Sequence, residues 1–283
     1  MMSFILSVFI IVGFDDRSVI IFISSYFIIS IFGFFDDIFV FSPIIKIVFQ
    51  FLFCIYFLQA LDLIKYTLDY KYLNIAMYSF CAVIVINAFN LIDGIDGLLI
   101  LISILLIILV ITIISHSVSF SFLFCIIMIG SLVGILPFNI APARFFLGDS
   151  GSMALGWFFV VVLSFSILEG DLDLYEAIMI LSIPIFDLIS VAIYRFNYSN
   201  GNILRRLLLI KKADNNHIHH ILLSKISAVS STIFYIILIN IIYLLIFYLI
   251  RFLFPIAAIT QFSVVLCLIG HYYLRILIKN RIN

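Results

Sequence analysis

Apolar runs follow one another along almost the whole chain, and the charged residues fall in the short breaks between them. A transmembrane helix needs roughly 20 apolar residues. Breaking the chain at its charges and at Pro, Gly and Asn predicts ten spans, near 3–14, 18–35, 43–61, 73–92, 98–115, 119–137, 151–168, 175–195, 230–250 and 254–278. Within lipid, backbone N–H and C=O groups must be satisfied internally, so runs of this kind fold as helices. The expected fold is all-α: a polytopic integral membrane protein with about ten transmembrane helices. It is read as a single domain over residues 1–283, with polar loops near 36–46, 93–97, 138–150 and 196–229.

Composition excludes the main alternatives. Hydrophobic residues make up 66% and charged residues 11%, with mean hydropathy +1.36. Soluble domains hold about 45–50% apolar and about 25% charged residues, so a soluble enzyme and a disordered chain are both ruled out. The formal net charge is +0, which gives no general attraction to nucleic acid. Cys54, Cys81, Cys125 and Cys267 sit inside apolar runs without metal-ligand spacing, and read as small buried hydrophobes. No cleavable signal peptide is expected, because no basic region precedes the first run.

Loop charge sets the expected orientation. Alternating spans put Lys46, Arg144, Arg195, Arg205, Arg206, Lys211, Lys212, Lys225, Arg275, Lys279 and Arg281 on one side. The other side keeps only Arg17, Lys65, Lys71 and Arg251. The richer side is expected to be cytoplasmic by the positive-inside rule, in a plasma or inner membrane.

The unusual polar residues fall at the ends of spans on that same side. Asp at a helix centre costs about 2.5–3.5 kcal/mol on insertion scales, so an embedded carboxylate lines a site or finds a partner. Asp36 and Asp37 are adjacent at the inner end of the second span. They point about 100° apart on a helix and can address two objects, such as a metal or lysine and a substrate phosphate. Asn87, Asn90 and Asp93 are spaced by three and share one stripe, followed by Gly94, Asp96 and Gly97. Such a row can hydrogen-bond a nucleobase, ribose or sugar; its simpler reading is interhelical glue. Asn139 opens a loop that runs through Pro142 and Arg144 to Gly148-Asp149-Ser150-Gly151-Ser152. There Asp149 stands at a helix start, either as a magnesium ligand beside an anion-binding helix N-terminus or as an ordinary N-cap.

The long inner loop carries Asp214 and then His217, His219 and His220. With no further His or Cys nearby to complete a zinc tetrahedron, these histidines are read as cationic or donor groups for phosphate. Asp187, beside Pro184, reads either as a structural carboxylate paired with Arg195 or another cation, or as part of a site. His116 and His271 lie apart from the cluster in sequence and receive no catalytic role.

Taken together, these residues resemble the polyprenyl-phosphate N-acetylhexosamine-1-phosphate transferases, glycosyltransferase family 4. The resemblance runs from about residue 20 to residue 220, with the motifs in family order. Ser42-Pro43, Lys46, Gln50 and the His217-Ile-His219-His220 signature look more like the GlcNAc-1-phosphate branch than the pentapeptide branch. The resemblance implies transfer of a phosphosugar from a UDP-N-acetylhexosamine such as UDP-GlcNAc to a polyprenyl (undecaprenyl) phosphate. The products would be a polyprenyl-diphosphate sugar and UMP, at the start of a cell-envelope or cell-wall polysaccharide. It implies Mg2+ as cofactor, with Mn2+ as the alternative ion. It implies Asp36, Asp37 and Asp149 as catalytic residues, with Asp149 the metal ligand and Asp93 or Asp96 as further ligand candidates. Asn87, Asn90, Asp93, Asp96, Asn139, His217, His219 and His220 would bind substrate.

The family's first helix and its basic loop have no counterpart at the start of this sequence. A start further upstream, or a truncated and inactive relative, is the expectation that follows. The competing class is an ion-coupled secondary transporter, which also uses intramembrane Asp and broken helices. Against it, the polar residues gather at one end of the spans and no inverted repeat is found.

Overall fold

The computed structural model describes residues 4, 17–64, 69–114, 120–198, 217–254 and 257–280. Every regular element among them is an α-helix. They run α1 Arg17–Phe39, α2 Pro43–Ala60, α3 Lys71–Ile92, α4 Leu98–Ile113, α5 Phe120–Asn139, α6 Gly148–Glu169, α7 Leu174–Ile180, α8 Ser182–Tyr198, α9 Ile218–Ile226, α10 Val229–Leu253 and α11 Ala257–Asn280.

Seven of these are long and apolar enough to cross a membrane, and up to eight if the bent pair α7 and α8 counts as one span. The expected ten is therefore not reached among the described residues. α4 is apolar but has only 16 residues, and the run at 3–14 lies almost wholly outside the described residues. Large apolar side chains such as Phe27, Phe34, Phe39, Leu52, Phe80 and Phe252 are exposed. In water such a surface would aggregate; in a polytopic membrane protein it faces lipid.

The helices group into two compact units, residues 1–173 and 174–283. In the first unit α6 is the central element, buried along most of its length. α1 and α3 pack directly on it. Lipid tails give no hydrophobic drive between helices, so close approach and specific polar contacts decide the packing. Gly33 of α1 shows the approach: a Cβ there would lie 2.5 Å from the Asp149 carbonyl oxygen. Deeper in the unit, Trp157 Nε1 donates to Ser25 Oγ at 2.8 Å, and Phe89 stacks on Phe159 with centroids 4.8 Å apart.

In the second unit the span expected at 175–195 is broken, with α7 and α8 bent by 81°. Pro184 explains the position. It sits in the first turn of α8, where a proline is tolerated, and it offers no N–H to the carbonyl four residues back, Ile180. Asn240 of α10 supplies the missing donor: its Nδ2 lies 3.3 Å from Ile180 O and 3.0 Å from Ser182 Oγ.

Candidate functional site

In the first unit the C-terminal ends of α1, α3 and α5 meet the starts of α2, α4 and α6 at one level. Asp36 and Asp37 leave α1 in different directions, as adjacent helix positions must. Asp36 is buried. Its Oδ1 accepts the Phe41 N–H at 2.8 Å, which turns the chain from α1 towards α2, and its Oδ2 is ion-paired with Lys46. Ser42 and Pro43 start α2, with the Ser42 side chain accepting from Ile45 N. This start places Lys46 one turn into the helix.

Asp37 turns the other way. Its carboxylate accepts the Asp149 N–H at 2.9 Å and the Ser150 N–H at 3.3 Å. These are orphan donors of the first turn of α6, which are satisfied by side chains or ligands wherever a helix starts. Leu147 holds the N-cap position and makes no side-chain bond there. The cap of α6 is thus supplied from α1, and the N-cap reading of Asp149 does not hold. Gly148 makes the contact possible. It has φ +64, and a Cβ on it would lie 2.7 Å from Asp37 Oδ2.

With its backbone held by Asp37, Asp149 points its side chain at two other helices. Oδ2 lies 2.7 Å from Lys46 Nζ. Oδ1 accepts from Asn90 Nδ2 at 2.8 Å, and the same amide lies 3.0 Å from Ser152 Oγ. The two aspartates of the sequence motif therefore address a lysine and a helix N-terminus. Two helix amides that could have met a substrate phosphate are taken by Asp37.

The polar row on α3 divides in the same way. Asn87 Nδ2 donates to Gln50 Oε1 at 2.6 Å and to Val83 O at 2.8 Å, which is the interhelical bond of the simpler reading. Asn90 reaches Asp149. Asp93 lies just beyond the end of α3, where burial, and then the charges of Asp149 and Asp37, push its carboxyl up to about 7. Asp96 Oδ2 accepts the Ala143 N–H at 2.9 Å. Asn139 Oδ1 accepts the Gly97 N–H at 3.0 Å, and its Nδ2 donates to Phe145 O at 2.7 Å. Asp96 and Asn139 so tie the 140–146 loop to the turn before α4.

The second unit holds a separate polar cluster. Asp187 of α8 is buried, with His217 Nδ1 2.8 Å from Oδ2 and the Ile218 N–H donating to Oδ1 at 2.9 Å. The carboxylate thus fixes the start of α9 and the ring of His217 together. His219 is fully enclosed, and neither ring nitrogen has a hydrogen-bond partner among the described residues. Burial pushes its pKa down to about 3, so His219 is a neutral imidazole rather than a cation. His271, which sequence spacing sets apart, comes within 3.9 Å of Asp187 Oδ1 and lies 3.3 Å from Tyr243 OH. His116, Arg205, Arg206, Lys211, Lys212 and Asp214 lie outside the described residues.

Among the described residues no three His, Cys, Asp or Glu side chains form a group able to hold a metal by themselves. The contribution that sequence reasoning left out is Lys46 as the shared partner of Asp36 and Asp149, with Gln50 one turn further along α2. Their i,i+4 spacing is the signal that was available: it puts both on one face, and that face meets Asp149 and Asn87.

The profile of glycosyl transferase family 4 matches residues 19–168. That stretch contains Asp36, Asp37, Lys46, Asn90, Asp93 and Asp149, and stops short of Asp187, His217, His219 and His220. An undecaprenyl-phosphate alpha-N-acetylglucosaminyl 1-phosphate transferase of Thermotoga maritima is 30% identical over 203 residues, 69% of this chain and 58% of the relative. A probable undecaprenyl-phosphate N-acetylglucosaminyl 1-phosphate transferase of Bacillus subtilis is 33% identical over 147 residues, 50% of this chain and 38% of the relative. A phospho-N-acetylmuramoyl-pentapeptide-transferase of Staphylococcus saprophyticus is 44% identical over 77 residues, 27% of this chain and 24% of the relative. The matched stretches thus span between 24% and 58% of these relatives' own lengths.

Proposed function

Because the chain belongs to glycosyl transferase family 4, we propose that it moves a sugar 1-phosphate from a UDP-N-acetylhexosamine to a polyprenyl phosphate in the membrane. An oxygen of the lipid phosphate attacks the sugar-bearing phosphorus. The new P–O bond forms as the bond to the nucleotide phosphate breaks, and UMP leaves with that electron pair. The product is a polyprenyl-diphosphate sugar, which would initiate a cell-envelope polysaccharide. The positive-inside argument puts the reaction on the cytoplasmic face of a plasma or inner membrane. The observation that carries this reading is the meeting of Asp36 and Asp149 at Lys46, with Asn90 bonded to Asp149, at the ends of four helices.

A phosphate monoester is mostly dianionic at neutral pH, with a second pKa near 6. Little proton removal is therefore needed, and the barrier lies in aligning two anions and spreading their charge. Asn90 fixes the rotamer of Asp149, and Asp37 fixes its backbone, so its outer oxygen is aimed before substrate arrives. Asp93, neutral or ionised near pH 7, stands where it can hydrogen-bond the nucleotide in either state. Asn87, Asp96 and Asn139 support these groups through Gln50 and through the 140–146 loop.

The residues fit a magnesium ion in a limited way. Mg2+ is commonly bound by one or two carboxylates plus substrate phosphates, so a complete protein cage is not required. Asp149 Oδ2 already faces a cation, the Lys46 ammonium, and this supports the reading of Asp149 as the ligand, with Mn2+ as an alternative ion. When bound, the ion would neutralise charge on the diphosphate.

The donor is read as an N-acetylhexosamine nucleotide from the histidine signature, while the relatives carry both GlcNAc-1-phosphate and pentapeptide names. The test is purified protein, in nanodiscs and in sealed vesicles, with polyprenyl phosphate, magnesium and radiolabelled UDP-GlcNAc or UDP-MurNAc-pentapeptide. Lipid-linked label from UDP-GlcNAc supports the reading. Label from the pentapeptide donor alone corrects the substrate. No lipid-linked product from either donor, with uptake of label into sealed vesicles, would replace the transferase with a transporter.

A further inference from the structure

Lys46 is one ammonium serving two carboxylates, and the two are not equivalent. The Asp36 side chain is 1% exposed and the Asp149 side chain 28%. A buried carboxylate stripped of its partner is strongly unfavourable, so Asp36 needs the ammonium wherever the rest of the site is. Asp149 is partly exposed, and Asn90 satisfies its other oxygen. It can exchange one cation for another at small cost.

We propose that Lys46 is a resident counter-ion that competes with a divalent cation for Asp149 Oδ2. In the ion-free protein Lys46 bridges both acids. When the divalent ion takes Asp149, Lys46 stays on Asp36 and gives up its second contact. Lys46 thereby holds the acids of the site together without a metal and sets how much free metal is needed to load it. The inference rests on the reading of Asp149 as the metal ligand. It carries a definite sign: removing Lys46 should tighten metal binding, whereas a lysine that merely supports the site would, on removal, loosen it.

Simple charge removal would also favour a cation, so the decisive variant is charge-matched. The double variant Asp36→Asn, Lys46→Met removes one negative and one positive charge. It keeps an oxygen for the Phe41 N–H and leaves no buried unpaired ion, so it should fold. Mn2+ binding without substrates is measured by electron paramagnetic resonance on nanodisc-embedded protein: wild type, the double variant, and each with Asp149→Asn. The expected result is Mn2+ binding about tenfold tighter in the double variant, on the scale of losing one competing close ion pair. Asp149→Asn should abolish binding in both backgrounds. Equal or weaker binding by the double variant, including no binding at all, overturns the competition while leaving the metal reading to stand on an Asp149-dependent wild-type site. Binding that survives Asp149→Asn in both backgrounds puts the ion elsewhere, and the metal reading falls together with the inference.

Discussion

The Asp37 carboxylate accepts the backbone N–H of Asp149 at 2.9 Å across two helices that are 112 positions apart in sequence. The same carboxylate takes the Ser150 N–H. An anionic side chain at a helix N-terminus satisfies orphan donors and complements the positive end of the helix dipole. Asp37 therefore acts on α6 as an N-cap would, but from outside its chain segment.

The first prediction concerns this cap. Asp37→Ala should destabilise the protein by about 0.5–2 kcal/mol, the usual cost of losing an N-cap side chain. Asp37→Asn keeps an acceptor oxygen and should lose less. Thermal unfolding of the nanodisc-embedded variants checks the order. Equal stability for Ala and wild type would mean that α6 does not depend on Asp37.

The second concerns Asp149. Because its side chain caps nothing, Asp149→Asn should leave stability close to wild type, with Lys46 still held by Asp36. Turnover should fall about 100- to 1000-fold, the range for losing one preorganised electrostatic stabiliser. Turnover is compared across a magnesium titration, with expression and thermal stability matched. A variant within a few-fold of wild type at every magnesium concentration would remove Asp149 from the reaction.

Much of this was legible in the sequence, for physical reasons that differ between residues. The apolar runs, with Pro43 at one start and Gly97 and Gly148 at turns, mark helix ends within a few positions, because solvent exposure and backbone freedom are local properties. The 81° break between α7 and α8 falls inside a single expected span, with only Pro184 as a local mark of it. Its stability depends on Asn240, which is remote in sequence. Lys46 read as a topological charge and a family mark but not as a partner of both acids, since these lie ten positions back and 103 positions ahead. His271 was set apart because its approach to Asp187 follows from packing of α11 on α8, which no local pattern encodes.

The third prediction is a pH dependence. The Asp93 carboxyl lies at about 7 in the folded protein against an ordinary 3.8. Between those values the folded state holds a proton that the unfolded chain has released, so stability falls as pH rises through this window. Asp93→Asn is neutral throughout. It should therefore gain stability over wild type as pH is raised from about 5 to about 8, with little difference near 4. A difference in melting temperature that stays constant across this range would show that Asp93 ionises without cost.

The last prediction concerns Asp187 and His217. A carboxylate can only accept, so its 2.8 Å contact requires His217 Nδ1 to carry a hydrogen. Both Asp187 oxygens are used, one by the ring and one by the Ile218 N–H at 2.9 Å. Asp187→Ala would leave these donors unpaired in a buried place, at roughly 1–3 kcal/mol each, and should unfold the start of α9 first. Asp187→Asn is the informative change. Its oxygen can still accept from Ile218, which turns the amide NH2 towards His217 Nδ1. The ring must then offer a lone pair at Nδ1 and move its hydrogen to Nε2. Histidine 15N chemical shifts near neutral pH separate the two forms: wild type should show Nδ1–H and the Asn variant an unprotonated Nδ1. Unchanged 15N shifts in Asp187→Asn would mean that Asp187 does not set the ring's protonation, and its part would reduce to capping α9.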